Sequence, residues 1–414
     1  MCLNEFKTSI HTLTSLARQR GIHYSLARFK DLLTLFSDPH TNMGPVIHIA
    51  GTNGKGSTCA FIGSALQALG FRVGTFTSPH LFCYTERICI QNTPISQHDF
   101  SHLLTQILKT SPSGHTEFEY LTCLAFLYFK QHKPDFILLE TGLGGRLDTT
   151  NVVTPILSII TKIGYDHQAI LGNSLAEIAF EKAGIIKKNT PVITSTQQDS
   201  RVLTVLETVA LKQNATLILT EPCQKIPNSF LMRGEFQTEN VSLARQAIQT
   251  LLPEHNSRKR EIGLARARHL GRFDTYKIES NTVIFDAAHN PPAMDALLHS
   301  LEKQCPETPL VFVLGFLKTK DTVGILSCFQ KYQHTLFYCD FSPGLSVPFS
   351  EIIETEKTQH IQPFSKPSEL GTLLRNHSHA TIVITGSIFF LGKFFSKTQG
   401  LTSPLILSDP MWSA

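Results

Sequence analysis

The chain has 414 residues, of which 42% are apolar, so it can bury large cores, and its length favours two or three domains. Its formal net charge is only +4, and the one dense basic run, residues 258–260, reads as a solvated loop, so nucleic-acid binding is not indicated. Nine cysteines lack metal-binding spacing, and no apolar run approaches a membrane span or a signal peptide, so we expect a cytoplasmic protein with reduced thiols and no membrane contact.

The first elements in chain order are predicted to be helical. Apolar positions recur at helical spacing from Asn4 to Phe36, and residues 37–39 then supply turn chemistry. VIHIA, residues 46–50, follows as a buried strand. A glycine-rich turn and a second helical pattern come directly after it, which is the order of elements in a phosphate-binding site.

This turn reads GTNGKGS and differs from the common pattern G-x-x-x-x-G-K-[ST] by an extra glycine after the lysine. Glycines let backbone N–H groups point at an anion, and Lys55 adds a positive charge. We predict that the helix begins at Ser57 and Thr58, with their hydroxyls capping its first N–H groups. A purely structural turn is the alternative. The predicted phosphate residues are Gly51, Thr52, Asn53, Gly54, Lys55, Gly56, Ser57 and Thr58.

Three later strands are predicted to end in polar residues at one edge of a parallel sheet. RVGTFTS leads to Ser78, DFILLE ends at Glu140, and PILSIITKI runs toward Asp166 and His167. A carboxylate at a strand end beside a phosphate turn suits the Mg²⁺ of a bound nucleotide. The alternatives are a simple turn serine for Ser78 and a structural histidine for His167.

The remaining elements predict a second α/β unit. A glycine-rich loop, residues 141–151, and a helix carrying Glu181 and Lys182 come first, and charge at such a helix end is ordinarily solvated. A linker near residues 271–274 divides the chain into predicted domains 1–272 and 273–414. The predicted fold is α/β: a large N-terminal P-loop domain with a mostly parallel sheet, and a smaller C-terminal Rossmann-like domain.

An ordered set of motifs spans nearly the whole chain. The motifs are HIAGTNGKGST, TSPHL, LLETGLGGRLDTTN, the DH of GYDH, EKAGI, GRF, DAAHNP and TGS. This set resembles the folylpolyglutamate synthase / dihydrofolate synthase family, the folate branch of the ATP-dependent amide ligases that include the Mur enzymes. The turn and the AHNP-like segment also resemble the Mur branch, whereas GLGGRLD-x-TN and EKAGI are similar to the folate branch specifically.

The resemblance implies an enzyme that uses ATP and Mg²⁺, with two metal sites. Lys55 and the turn backbone would hold the ATP phosphates, and Lys182 would be carbamylated, which converts a cation into an oxygen ligand. The implied Mg²⁺ ligands are Ser78, Glu140, His167 and Lys182. The implied catalytic residues are Lys55, His167, Lys182 and His289. Further implied contacts are Asn240, Arg272 and Asp286 with ATP, Thr116, Phe118, Asp148 and Thr149 with the pterin, and His289 and Ser387 with glutamate.

Three positions differ from the sequence pattern of the family that this chain resembles. Leu270 replaces a proline, Phe236 replaces a histidine, and Thr319 replaces the first aspartate of a D-K-D run. None of them is a predicted metal or phosphate ligand. Their effect would fall on adenine positioning and substrate ranking rather than on the chemistry.

The implied chemistry is ATP-dependent amide formation by a monomer acting on small molecules. ATP would convert an acceptor carboxylate, from dihydropteroate, a reduced folate or both, into an acyl phosphate that the amine of L-glutamate attacks. Closure of two domains would exclude water. One alternative is a Mur-type UDP-sugar peptide ligase, which would need a further N-terminal domain where only about 45 residues precede the turn. Another is a nucleotide-binding regulator without ligase chemistry.

Overall fold

The computed structural model describes residues 2–19, 26–111, 114–331, 334–354 and 361–397. The chain forms two compact units. Unit 1 runs to Cys223 and includes Glu239–Ala267, whereas unit 2 contains Gln224–Thr238 and the chain from Arg268 on. The predicted division after residue 272 stays a prediction. Among the described residues, none of the helices combines the length and apolar character that a membrane span requires.

Unit 1 is built on an eight-stranded sheet in the order β4-β3-β2-β5-β1-β6-β7-β8. Its strands are β1 Val46–Ala50, β2 Val73–Phe76, β3 Ile88–Ile90, β4 Thr93–Pro94, β5 Phe136–Glu140, β6 Leu157–Ile160, β7 Val192–Ser195 and β8 Leu217–Thr220. The six strands from β2 to β8 in this order are parallel, whereas β3 and β4 pair in antiparallel fashion at one side. β1 lies inside the sheet, between β5 and β6, and all five of its residues are buried.

Ten helices of the described chain precede the second sheet. They are α1 Cys2–Gln19, α2 Leu26–Thr34, α3 Lys55–Ala68, α4 Gln97–Thr110, α5 Glu117–His132, α6 Gln168–Leu171, α7 Leu175–Ala183, α8 Ser200–Lys212, α9 Gln237–Leu251 and α10 Ser257–Arg266. Short 3₁₀ turns occur at Pro39–Thr41, Tyr84–Arg87 and Thr149–Val152. The predicted helical region before residue 37 is confirmed where it is described, and residues 20–25 lie outside the described residues.

Unit 2 contains a six-stranded sheet in the order β13-β12-β11-β14-β10-β9. Its strands are β9 Asp274–Ile278, β10 Asn281–Asp286, β11 Leu310–Leu314, β12 Thr335–Tyr338, β13 Ile361–Pro363 and β14 Thr381–Thr385. All neighbours are parallel except β9 and β10. The helices are α11 Pro291–Gln304, α12 Thr322–Ser327, α13 Phe349–Ile353, α14 Leu370–Asn376 and α15 Ile388–Lys397, with 3₁₀ turns at Cys328–Lys331 and Pro367–Glu369. The predicted α/β fold class is confirmed in both units.

Two local predictions are wrong. The basic run at residues 258–260 is not a loop but the first turn of α10, whose N-terminus is capped by the Asn256 side chain. α10 packs on α3 so closely that a β carbon at Gly263 would lie 2.6 Å from the backbone of Ala65, and tertiary packing of this kind stabilises helices whose own sequence is polar. The start of α3 also differs from the prediction, as described below.

Candidate active site

The turn after β1 is shaped by two glycines in close contact with neighbouring segments. A β carbon at Gly51 would lie 1.8 Å from Thr161 Oγ1, and one at Gly54 would lie 2.2 Å from Asn240 Oδ1. Gly54 also has φ 88°, a conformation that favours glycine. Asn240, predicted to contact ATP, therefore lies directly against the phosphate turn.

The N–H groups of this turn divide into two sets. Those of Thr52 and Asn53 donate to the carbonyl of Lys162 at 2.9 and 3.2 Å, so they anchor the turn to the segment after β6. α3 then begins at Lys55, and its N-cap, Gly54, has no side chain to cap the first turn. The prediction that Ser57 and Thr58 cap this helix is wrong, because both lie inside it and are buried. Uncapped N–H groups at a helix start are suited to an anion.

Two lysine side chains converge on one carbonyl of the turn. Lys55 Nζ donates to Gly51 O at 3.1 Å and to Thr52 O at 3.2 Å, and Lys182 Nζ donates to Gly51 O at 2.8 Å. Lys182 is only 4% exposed, so the expectation that a charge at this helix end is solvated is wrong. Burial, and then the charge of Lys55, lowers the pKa of Lys182 to about 7.

The predicted metal edge brings Ser78 and Glu140 together. Glu140 ends β5 and is 4% exposed, and its Oε2 accepts a hydrogen bond from the backbone N–H of Ser78 at 3.1 Å. The hydroxyl of Thr141, the residue after Glu140, is buried and has no partner within the described ranges, and the same is true of the Thr58 hydroxyl on α3. A buried carboxylate among hydroxyl oxygens matches the oxygen ligands that a hard cation takes.

His167 and Asp166 lie in the segment after β6. His167 has φ 50° and a half-exposed ring whose Nε2 is 3.8 Å from Asp166 Oδ1. Asp166 and Asp148 both act on the charge of Lys182, so these carboxylates lie within electrostatic range of the two lysines. In the part of the chain that the structure describes, no three His, Cys, Asp or Glu side chains form a metal-binding cluster by themselves.

The four predicted pterin residues lie on α5 and the loop at residues 141–151. Thr116 is the N-cap of α5, because its hydroxyl accepts from Glu119 N at 3.2 Å. The ring of Phe118 lies against the loop, since a β carbon at Gly142 would be 2.5 Å from it. Thr149 Oγ1 is 2.7 Å from Thr122 Oγ1, which links the loop to α5.

Asp148 has its carboxylate inside this loop. Oδ1 accepts from Thr150 N at 3.0 Å and from the Thr150 hydroxyl at 2.5 Å, and Oδ2 accepts from Leu143 N at 2.9 Å. The residue is 4% exposed, and burial raises its pKa. Its carboxylate therefore organises the loop.

In unit 2 the predicted residues occupy the carboxyl ends of two paired strands. Asp286, at the end of β10, accepts from Phe273 N at 2.9 Å and Ala288 N at 2.8 Å, and β10 pairs with β14, which leads to Ser387. Burial raises the pKa of Asp286 to about 6, although the nearby charge of Arg272 opposes that rise. His289 Nδ1 lies 2.8 Å from Ala287 O, and because a carbonyl only accepts, Nδ1 carries the proton.

Three contacting residues were missed by sequence reasoning. Thr161 contacts Gly51, Thr122 contacts Thr149, and His48 is a fully buried histidine in the middle of β1. His48 had a detectable signal, since it is the one polar residue in VIHIA. Thr122 lies one helical turn after Phe118, a spacing that places both on one helix face.

The chain is similar to known proteins over most of its length. Residues 49–220 match the Mur ligase middle domain, and residues 271–388 match the Mur ligase glutamate ligase domain. The dihydrofolate synthase/folylpolyglutamate synthase of Bacillus subtilis is 31% identical over 407 residues, which covers 90% of this chain and 94% of that protein.

Two solved structures superpose over most of the chain. Escherichia coli FolC in complex with DHPP and ADP gives a TM-score of 0.86 at 25% identity, covering 95% of this chain and 98% of that one. The bifunctional folylpolyglutamate synthase/dihydrofolate synthase of Yersinia pestis, complexed with AMPPNP and Mn ion, gives 0.84 at 26% identity with the same coverages.

The two sheets, the phosphate turn with its lysines and the matching domain models define an ATP-dependent ligase of the Mur type. Within that class, the 31% identity with the Bacillus subtilis protein, over 90% of this chain, identifies the family. The chain belongs to the dihydrofolate synthase/folylpolyglutamate synthase family.

Proposed function

We propose that this ligase joins L-glutamate to a pteridine acceptor, either dihydropteroate, a reduced folate or both, with ATP converted to ADP and phosphate. The observation that carries the proposal is the convergence of Lys55 and Lys182 on the Gly51 carbonyl. The same unit contains the buried Glu140 and the loop at residues 141–151, against which the Phe118 ring lies. The alternatives of a UDP-sugar peptide ligase and a regulator have no comparable support. An assay of amide and phosphate formation with ATP, glutamate and each acceptor tests the proposal.

Divalent metal fits the residues present. Glu140 supplies a buried carboxylate, its neighbours supply hydroxyl oxygens, and Mg²⁺ characteristically combines one or two carboxylates with phosphate oxygens and water. Ser78, Glu140 and His167 would hold it. When bound, the cation neutralises charge on the transferred phosphoryl group.

The chain's own residues would act in two steps. In the first, Lys55 and the uncapped start of α3 orient the ATP phosphates while an oxygen of the acceptor carboxylate attacks the γ-phosphorus and ADP leaves. In the second, the amine of glutamate attacks the acyl carbon and phosphate leaves. We assign to His289, whose Nδ1 donates to Ala287 O, the role of accepting the proton that the amine loses. We assign Arg272, Asp286 and Asn240 to ATP and Ser387 to glutamate.

We further propose that Lys182 carries a carbamate and that two metal ions participate. A neutral amine forms an N–C bond with CO₂ and releases one proton, and a pKa of about 7 makes much of Lys182 neutral at physiological pH. Its Nζ lies against the phosphate turn, where an added carboxylate could ligate a cation. A monomer in the cytoplasm remains our expectation.

Glu140→Gln and His167→Ala are each expected to raise the Mg²⁺ concentration that gives half-maximal activity by about tenfold or more. The reason is that each change removes one ligand while leaving the sheet intact. Mg²⁺ titrations of activity measure this shift, and Glu207→Gln, which removes an exposed carboxylate on α8, is the matched control. An unchanged Mg²⁺ dependence would remove the altered residue from the metal site.

We expect the purified protein to extend both dihydropteroate and tetrahydrofolate. Asp148, Thr149 and Phe118 are all present, and the Thr149 hydroxyl contacts Thr122, so the proposed acceptor residues on the loop and on α5 are held together. Product analysis with each acceptor at matched concentration is the measurement. Amide formation with one acceptor alone would make the enzyme a dihydrofolate synthase or a polyglutamate synthase only.

A further inference from the structure

A buried chain of hydrogen bonds connects β1, the strand before the phosphate turn, to the loop at residues 141–151. His48 Nε2 is 2.8 Å from Thr150 Oγ1, and Thr150 Oγ1 is 2.5 Å from Asp148 Oδ1. His48 and Thr150 are both fully buried. None of the roles proposed above uses His48 or Thr150.

The other hydrogen bonds of Asp148 show which atom donates and which accepts at each step from His48 through Thr150 to Asp148. The Asp148 carboxylate also accepts backbone N–H groups from Thr150 and Leu143, so it is an acceptor throughout, and the Thr150 hydroxyl donates its proton to it. The oxygen of Thr150 is then left to accept from His48. His48 must therefore carry its proton on Nε2.

The other ring nitrogen supports this assignment. Nδ1 of His48 is buried and has no hydrogen-bond partner among the residues that the structure describes. A buried lone pair costs less than a buried, unpaired N–H or a full charge. Burial also lowers the pKa of His48 to about 3, so the ring stays neutral.

The hydrogen bonds from His48 hold one side of the 3₁₀ turn Thr149–Val152. A separate contact holds its other side. Thr150 is bonded toward β1 through His48, whereas its neighbour Thr149 is bonded to α5 through Thr122. Both threonines belong to the 3₁₀ turn Thr149–Val152. Two bonds in different directions set the position of this turn and hence of the proposed acceptor residues Asp148 and Thr149.

We propose that His48, as a neutral Nε2–H donor, is a positioning residue that sets the affinity for the pteridine acceptor through Thr150 and Asp148. The proposal rests on the proposed function for the identity of the acceptor. His48 touches no reacting atom. Its effect should fall on acceptor binding rather than on ATP, because the phosphate turn is held separately by Thr161 and Lys162.

The test compares five variants of the full-length enzyme, one of which combines His48→Leu with Thr150→Val. His48→Leu and Thr150→Val each break the chain, His48→Gln retains an amide N–H donor, and Ser158→Ala is the matched control. Ser158 is the β6 partner of His48, is equally buried, and donates to Ile185 O outside the loop.

We expect His48→Leu and Thr150→Val to raise the acceptor KM and the equilibrium Kd for dihydropteroate or tetrahydrofolate by about 10- to 100-fold, with the ADP Kd within twofold of wild type. The double variant should equal either single one, because both break the same chain. His48→Gln should recover most of the loss, and Ser158→Ala should leave the acceptor Kd unchanged. Equal losses for acceptor and ADP, or additive single effects, would overturn the proposal.

Nitrogen-15 NMR of the histidines in the wild-type enzyme gives a readout that needs no variant. The His48 ring should be the neutral Nε2–H tautomer throughout pH 5–8, and an Nδ1–H tautomer or a titration in that range contradicts the proposal. Failure of the proposed function would appear differently. The enzyme would then form no amide with either acceptor, whatever the tautomer of His48.

Discussion

Replacing Lys182 with alanine is expected to reduce ligase activity by about 100-fold or more. The side chain is 4% exposed and reaches the Gly51 carbonyl at 2.8 Å, so its removal takes away the group that we propose carries the carbamate beside the ATP phosphates. A short carboxylic acid such as acetate should restore part of the activity by occupying the vacated space. Initial rates with and without acetate are the measurement.

Two controls separate this chemistry from a loss of folding. Lys188→Ala removes an exposed lysine just beyond the same helix and should keep full activity. The folded pKa of Lys182, about 7, is below the value of about 10 in the unfolded chain. As the pH falls from about 10 toward 7, the unfolded chain takes up a proton that the folded chain does not, so the free energy of unfolding decreases. Lys182→Ala removes that cost and should remain folded at neutral pH. An intact protein mass without added CO₂, from wild type kept in bicarbonate, would exclude the carbamate.

Lys55→Ala is expected to abolish ATP turnover, with a loss of at least about 100-fold, while the melting temperature stays close to that of wild type. The lysine side chain donates to the carbonyls of Gly51 and Thr52 and is only partly buried. A positive charge in the first turn of a helix is also unfavourable, so alanine there should not weaken α3.

Phosphate release and a thermal melt of the same preparation check this prediction. Lys109→Ala, in the last turn of α4, provides the matched change of one lysine away from the phosphate turn. Phosphate release near the wild-type rate from Lys55→Ala would contradict the assigned role. A large fall in melting temperature would instead show that Lys55 supports the fold.

The long apolar strands were predictable because they are continuous and bounded by turn residues. β1 and β5 fall on VIHIA and DFILLE, whose continuous apolar residues predict strands. The strands that were missed are β3, β4, β9 and β13, of which three have only two or three residues. β9 was missed because its residues alternate in exposure and stand close to the predicted linker.

The residues of the candidate site can be proposed from the sequence, whereas parts of their geometry cannot. The start of α3 was misplaced because sequence rules look for a capping side chain, and Gly54 has none. The burial of Lys182 depends on how α7 packs beneath the phosphate turn, which no local pattern encodes. The hydrogen bond between His48 and Thr150 joins segments 102 residues apart, so only the folded chain reveals it.

The central place of β1 in its sheet also determines when the nucleotide site can form during synthesis. Ile49 pairs with Glu140 and Ala50 pairs with Ile160, so the strand that carries the turn has no partner until those residues emerge. At ribosomal rates of about 5–20 residues per second, that interval is on the order of ten seconds. Throughout it the apolar VIHIA segment is unpaired, which makes it a target for chaperones. A nucleotide at the proposed site can therefore stabilise unit 1 only after β6 has been translated, and cannot assist the earlier steps of folding.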